Sequence, residues 1–153
     1  MIPAALLTAA LLLWAVAIAA VDWRQRRVPN AMLLLLLLPA IAVLSIRGEG
    51  LLQTTWPASL LGFAVALGVT LPGYWVSRLG AGDVKLAAVL GFVQGWPLVS
   101  YTLVAAGLLL GLGALVMVVM AGFADVRKVR VPSAWALLVG FAAVLLWQSG
   151  GWS

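Results

Sequence analysis

The chain has 153 residues, of which 65% are hydrophobic and only 8% charged, with a net charge of +5. Soluble domains are usually about 45–50% apolar and about 25% charged, so a soluble fold is excluded and we expect an all-α protein embedded in a lipid bilayer. Cysteine and histidine are absent, which excludes disulfides, thiolate and imidazole metal ligands, and Ser-His or Cys-His triads.

Six apolar runs are candidates for helices that cross the bilayer, which requires about 20 residues each. They cover roughly residues 2–21, 31–46, 57–77, 84–95, 98–121 and 133–149. Charged residues or helix breakers separate them, and no stretch has the composition of a soluble domain. We therefore predict one polytopic membrane domain over residues 1–153, with about six transmembrane helices.

The basic residues predict the orientation of these helices. If the six runs alternate in direction, only Arg47 falls on one side, and the other eight basic residues fall on the opposite side. Those eight are Arg24, Arg26, Arg27, Arg78, Lys85, Arg127, Lys128 and Arg130. Cytoplasmic loops are rich in lysine and arginine, so both termini should lie on the non-cytoplasmic side. Basic clusters between apolar runs indicate loop anchors, and we expect no nucleic-acid partner.

The fourth apolar run is short for a membrane span. At 1.5 Å per residue it would be about 18 Å long, whereas the hydrocarbon core is about 30 Å thick. Polar backbone at membrane depth must be shielded by protein or water. We therefore expect residues 78–83 to dip into the bilayer from the cytoplasmic side and to line a wet cavity.

Acidic residues in or beside membrane helices are costly and mark candidate functional sites. The chain has four, Asp22, Glu49, Asp83 and Asp125. Glu49 lies in a glycine-flanked outer loop and is interpreted as a solvated charge. Asp22 and Asp125 each precede a proline by seven residues. On spacing alone, either one is a candidate partner for Asp83, and either could simply balance the neighbouring arginines.

Asp83 follows a glycine-rich turn that contains Gly80 and Gly82. We expect Asp83 to N-cap the fourth helix, as Asn30 would N-cap the second. The glycines also let another backbone approach closely. The helix dipole stabilises a carboxylate at this position, and Lys85 would hold that charge or meet an acidic group on a ligand.

Two carboxylates on one side of a membrane can hydrolyse a peptide bond. One takes a proton from water, and the other polarises the carbonyl and protonates the leaving amine. This is nearly the only hydrolytic mechanism that the composition allows, and it needs no cofactor or metal. The alternatives are a small proton- or ion-coupled transporter, with the aspartates as relays, or a scaffold subunit in which the aspartates are dispensable.

The motifs resemble those of a known family. Gly80-Ala81-Gly82-Asp83, followed by Lys85, resembles the GxGD signature of the type IV prepilin peptidases, which are intramembrane aspartyl proteases. Asp22, followed by Val28-Pro29-Asn30, resembles the first aspartate motif of that family. The likeness extends over nearly the whole chain, including the number of spans and their orientation.

The resemblance implies a single transmembrane peptidase domain over residues 1–153, with Asp22 and Asp83 as the catalytic pair. We take Asp83 as the base and Asp22 as the acid. The supporting or substrate-binding residues would be Lys85, Gly80, Gly82, Pro29 and Asn30. The family cleaves the short basic leader of prepilins or pseudopilins in the inner (plasma) membrane, at its cytoplasmic face and just before the substrate's hydrophobic helix.

The chain lacks the cytoplasmic insertion, with its cysteine pairs, of the long bacterial form, so N-methyltransferase activity is not expected. Its length resembles the small peptidases of tight-adherence (Flp-type) pilus systems, or archaeal preflagellin peptidases. In the family's pattern, Asp125 falls in a turn with no catalytic role. Neither the individual prepilin nor the oligomeric state follows from the sequence.

Overall fold

The computed structural model describes residues 4–25, 28–75, 79–121 and 134–150. These residues form six α-helices. The helices are α1 (Ala4–Gln25), α2 (Asn30–Arg47), α3 (Trp56–Trp75), α4 (Ala81–Gln94), α5 (Leu98–Ala121) and α6 (Ala134–Gly150). The predicted all-α, polytopic fold is confirmed.

The outer surface of the helix bundle is apolar. Four helices, α1, α2, α3 and α5, are long and apolar enough to cross a membrane, and α6 is a shorter apolar helix. Large side chains on their outer faces are exposed, including Leu13 at 71% and Met120 at 83%. A helix facing water would present polar residues there, so these faces contact lipid.

Helix α4 forms the centre of the bundle. It has only 14 residues, about 21 Å at 1.5 Å per residue, and it contacts α2, α3, α5 and α6. From Val84 to Gln94 every residue except Lys85 is buried. A helix that is apolar on all sides belongs in an interior. Its N-terminus therefore carries Asp83 to the edge of the bundle core.

The closest approach in the bundle is the crossing of α3 with α4. A Cβ atom added to Gly62 would collide with the carbonyl oxygen of Gly91, and one added to Gly91 would collide with the carbonyl oxygen of Gly62. Paired glycines let two helix backbones pack this closely in membranes. The crossing fixes the position of α4 against α3.

Polar contacts and a second close crossing join the remaining helices. The indole N–H of Trp14 in α1 donates to the carbonyl oxygen of Met32 in α2 at 2.9 Å. In the core, the hydroxyl of Thr102 in α5 donates to Oε1 of Gln94 in α4, also at 2.9 Å. Helix α6 packs against α1 and α5, and a Cβ atom at its Gly140 would lie 2.7 Å from the carbonyl oxygen of Thr102.

The beginnings of two helices differ from the prediction. Helix α4 begins at Ala81 with Gly80 as its N-cap, so the expectation that Asp83 is the N-cap is wrong. Asp83 is instead the third helical residue, where its carboxylate can reach back to the N-cap backbone. Helix α2 has Pro29 as its N-cap, without a side-chain cap bond, so Asn30 does not cap the helix either. The side-chain amide of Asn30 can therefore hydrogen-bond to other groups.

We predict that Gly91→Ala destabilises the protein, because the added methyl group forces α3 and α4 apart. Overpacking of this kind usually costs about 1–3 kcal/mol. Thermal unfolding in detergent measures the change. Gly113→Ala in α5 is the matched control, because a Cβ atom there meets nothing within 4 Å. Equal stability of the two variants would contradict a tight crossing.

Candidate active site

Asp22 lies in the last turn of α1, and its side chain is only 8% exposed. The next two residues, Trp23 and Arg24, are exposed. The helix thus turns Asp22 inward at the end of the bundle where α1 finishes. Burying a carboxylate is costly, so this orientation needs compensation from the surrounding groups.

Asp83 is held at the start of α4 by its own turn. Its Oδ2 accepts a hydrogen bond from the backbone N–H of Gly80 at 3.1 Å. A Cβ atom at Gly80 would lie 3.2 Å from that oxygen, so the absence of a side chain leaves room for the carboxylate. The first turn of a helix also favours negative charge. These local interactions help to orient the Asp83 carboxylate.

Asp22 and Asp83, which are far apart in sequence, lie near each other in the fold. Their carboxylates are close enough to interact electrostatically. The fold therefore brings two carboxyl groups together where α1 ends and α4 begins, and a neighbouring pair of this kind can act as general acid and general base.

Two further contacts join the same two segments. A Cβ atom at Gly82 would lie 3.2 Å from the Cβ of Val28 and 3.3 Å from its backbone nitrogen, so Val28 packs directly on the glycine turn. Nearby, Nζ of Lys85 donates to Oδ1 of Asn30 at 3.3 Å. Pro29, between Val28 and Asn30, is the N-cap of α2 and is half-buried.

The structure thus places all seven predicted site residues in two adjoining segments, 22–30 and 80–85, of which residues 26 and 27 are not described. Glu49 is exposed in the loop after α2, beyond the opposite end of that helix from Asn30. Asp125 lies outside the described residues, as do Arg26, Arg27, Arg78, Arg127, Lys128 and Arg130. The competition between Asp22 and Asp125 is therefore not decided by geometry alone.

Sequence reasoning missed other residues around Asp83. Thr70 in α3, Leu79 before α4 and Gly107 in α5 line a cavity beside the carboxylate. Each stands in an apolar context with no motif, so no sequence signal could have found it. Among the described residues, no group of three or more potential metal-ligating carboxylates comes together. The site therefore presents a carboxylate pair, a nearby lysine and an apolar cavity.

The sequence model of one protein family matches residues 9–116, well over half of the chain. That range includes Asp22, Asp83 and Lys85, and it ends before Asp125. The chain belongs to the type IV leader peptidase family. It is thus a membrane protein of a protease family. No curated protein and no solved structure shows a significant match to this leader peptidase family member.

The absence of native cysteine makes the proximity of the two aspartates directly testable. We predict that an Asp22→Cys, Asp83→Cys double variant forms an intramolecular cross-link with a short bis-maleimide, because the two carboxylates are close enough to interact electrostatically. An engineered protease site placed after Glu49, within residues 50–55, would reveal the cross-link as two fragments that stay joined. The control pairs Glu49→Cys with Asp83→Cys, and its fragments should separate. Separation in both variants would contradict the geometry.

Proposed function

We propose that this chain is a prepilin leader peptidase, an aspartic endopeptidase with Asp22 and Asp83 as its catalytic pair. Its substrates would be type IV, Flp-like prepilins, cut after their short basic leader. The observation that carries the proposal is the electrostatic contact between two carboxylates, both inside the range matched by the leader peptidase family. Residues 1–153 would form a single peptidase domain in the plasma membrane.

Asp83 is proposed as the base. Its carboxylate accepts the Gly80 N–H and lies in the first turn of α4, and both features stabilise an ionised group. Asp22 is proposed as the acid, because its side chain is the more buried of the two and a neutral carboxylic acid is less costly to bury than a carboxylate.

The reaction then follows from these two protonation states. Asp83 takes a proton from a water molecule as the water oxygen attacks the scissile carbonyl carbon, while the proton of Asp22 hydrogen-bonds to the carbonyl oxygen. The carbon–nitrogen bond breaks as Asp22 passes its proton to the leaving amine, while Asp83 keeps the proton that it took from water. The pair ends with one proton in total, as it began, so transfer between the two carboxyl groups restores the starting state.

The charge distribution supports cleavage at the cytoplasmic face. Eight of the nine basic residues fall in the segments that alternate to one side of the bundle, and the end of α1 and the start of α4 belong to that side. Cytoplasmic loops carry this excess of lysine and arginine. A leader that remains in the cytoplasm would therefore meet the carboxylate pair at the membrane surface.

We predict that Asp22→Asn and Asp83→Asn each abolish cleavage of a co-expressed prepilin. An amide can neither act as the base nor donate the required proton, and losses of about 100-fold or more are usual for such groups. Immunoblotting of precursor and mature forms measures the effect. Asp125→Asn and Glu49→Gln are controls that should retain most of the activity. Full cleavage by either member of the pair would contradict the mechanism, and loss with Asp125→Asn would reopen the choice of partner.

Lys85 is proposed to recognise an acidic residue near the cleavage site of the substrate. The Lys85 side chain is exposed, and its ammonium group donates to the neutral amide of Asn30. A neutral acceptor positions the lysine without cancelling its charge, so the charge can still attract a carboxylate on a bound chain.

We predict that Lys85→Gln lowers kcat/KM about tenfold for a substrate with that acidic residue and much less for the same substrate with alanine there. A charge-assisted hydrogen bond of about 1.5–3 kcal/mol accounts for an effect of this size. Competition between the two substrates measures the discrimination. Lys85→Arg, which keeps the charge, should preserve most of it. An equal loss on both substrates would instead indicate that Lys85 only supports the local structure.

A further inference from the structure

A cavity of about 140 Å³ lies beside the proposed catalytic pair, between α3, α5 and α6. Asp83 and Leu79 form its end nearest the start of α4. Its lining includes Val69 and Thr70 of α3 and Gly107 of α5, and its other residues besides Asp83 are apolar. A cavity of about 150 Å³ can hold a benzene molecule, so this space suits one large aliphatic or aromatic side chain.

The chemistry of the walls is apolar except at Asp83. Thr70 is the other polar residue of the lining, and its hydroxyl already donates to the carbonyl oxygen of Ala66 in its own helix at 2.7 Å. The rest of the cavity wall is a hydrocarbon surface, apart from the Asp83 carboxylate. An apolar side chain bound here would place the backbone that carries it next to Asp83.

The cavity has an apolar rim between α3 and α5. Val69 on α3 is 60% exposed, and Gly107 on α5 is also exposed. The next residue along α5, Leu108, is 63% exposed. This outer surface contacts lipid, so a ligand that reaches the cavity across this rim comes from the bilayer.

We propose that this cavity binds an apolar side chain from the first turn of the substrate's hydrophobic segment, just after the scissile bond. The substrate would move laterally from the lipid into the gap between α3 and α5. The inference rests on the proposed peptidase function, since a scissile bond at Asp83 is what places the following residue at the cavity. It adds a specificity-determining site to the carboxylate pair.

Gly107 provides a means to fill the cavity without disturbing the fold. A Cβ atom added there meets nothing within 4 Å, although the residue lines the cavity. Gly111, one turn further along α5, is equally unobstructed and exposed but is not part of the lining. Gly107→Leu and Gly111→Leu therefore make the same chemical change on the same helix, and only the first makes it at a residue that lines the cavity.

The test compares cleavage of a co-expressed prepilin by the wild type and these two variants, with equal protein levels and thermal unfolding verified in detergent. We expect Gly107→Leu to lower kcat/KM at least about tenfold, the usual size of a misfit in an apolar pocket, and Gly111→Leu to change it less than about twofold. Gly107→Ala should have an intermediate effect. Replacing the apolar residues of the substrate's first turn with alanine, one at a time, should restore cleavage by Gly107→Leu at one position.

The outcomes separate this inference from the proposed function. Wild-type activity in Gly107→Leu overturns the cavity proposal and leaves the peptidase intact. Equal losses in Gly107→Leu and Gly111→Leu, or the absence of rescue by any substrate variant, also overturn it. If the wild type and Asp83→Asn leave the prepilin equally uncut, the peptidase function itself fails, and the cavity proposal fails with it.

Discussion

The central constraint in this protein is a short helix buried on every side. Helix α4 has 14 residues, too few to cross a hydrocarbon core of about 30 Å, and its glycine crossing with α3 holds it within the bundle. This short helix reaches the surface of the bundle at its N-terminus, where Ala81 and Lys85 are exposed and Asp83 is half-buried. The carboxylate of Asp83 is set against apolar walls, where its charge and its hydrogen bonds have more effect than they would in water.

The site around that carboxylate depends on three different kinds of interaction between the segments 22–30 and 80–85. Val28 packs on Gly82, Lys85 donates to Asn30, and the carboxylates of Asp22 and Asp83 interact electrostatically. The packing and the hydrogen bond are attractive, whereas the two carboxylates repel each other when both are ionised. The attractive contacts thus hold the two segments together despite this repulsion between the carboxylates.

The proposed chemistry places water and lipid on two sides of Asp83. Peptide hydrolysis needs water, which can reach the pair from the loop side, where Lys85 is exposed. The apolar cavity between α3, α5 and α6 has the lipid-exposed residues Val69 and Gly107 in its lining. A substrate with a basic leader and a hydrophobic helix has the same division along its length. The water-accessible side of the site would therefore match the basic leader, and its lipid side would match the hydrophobic helix, in addition to individual contacts.

Composition alone determined the membrane fold, because a chain with 65% hydrophobic residues has no other way to hide them. Local sequence also identified Asp83, because a glycine turn before an apolar helix is a short-range feature. It did not determine where α2 and α4 begin, because Pro29 and Gly80, which have no capping side chain, occupy the N-cap positions in place of Asn30 and Asp83. Only the tertiary structure placed Asp22 near Asp83, formed the hydrogen bond from Lys85 to Asn30 and created the cavity between α3, α5 and α6. Those contacts join distant segments through packing, which leaves no periodic or local trace in the sequence.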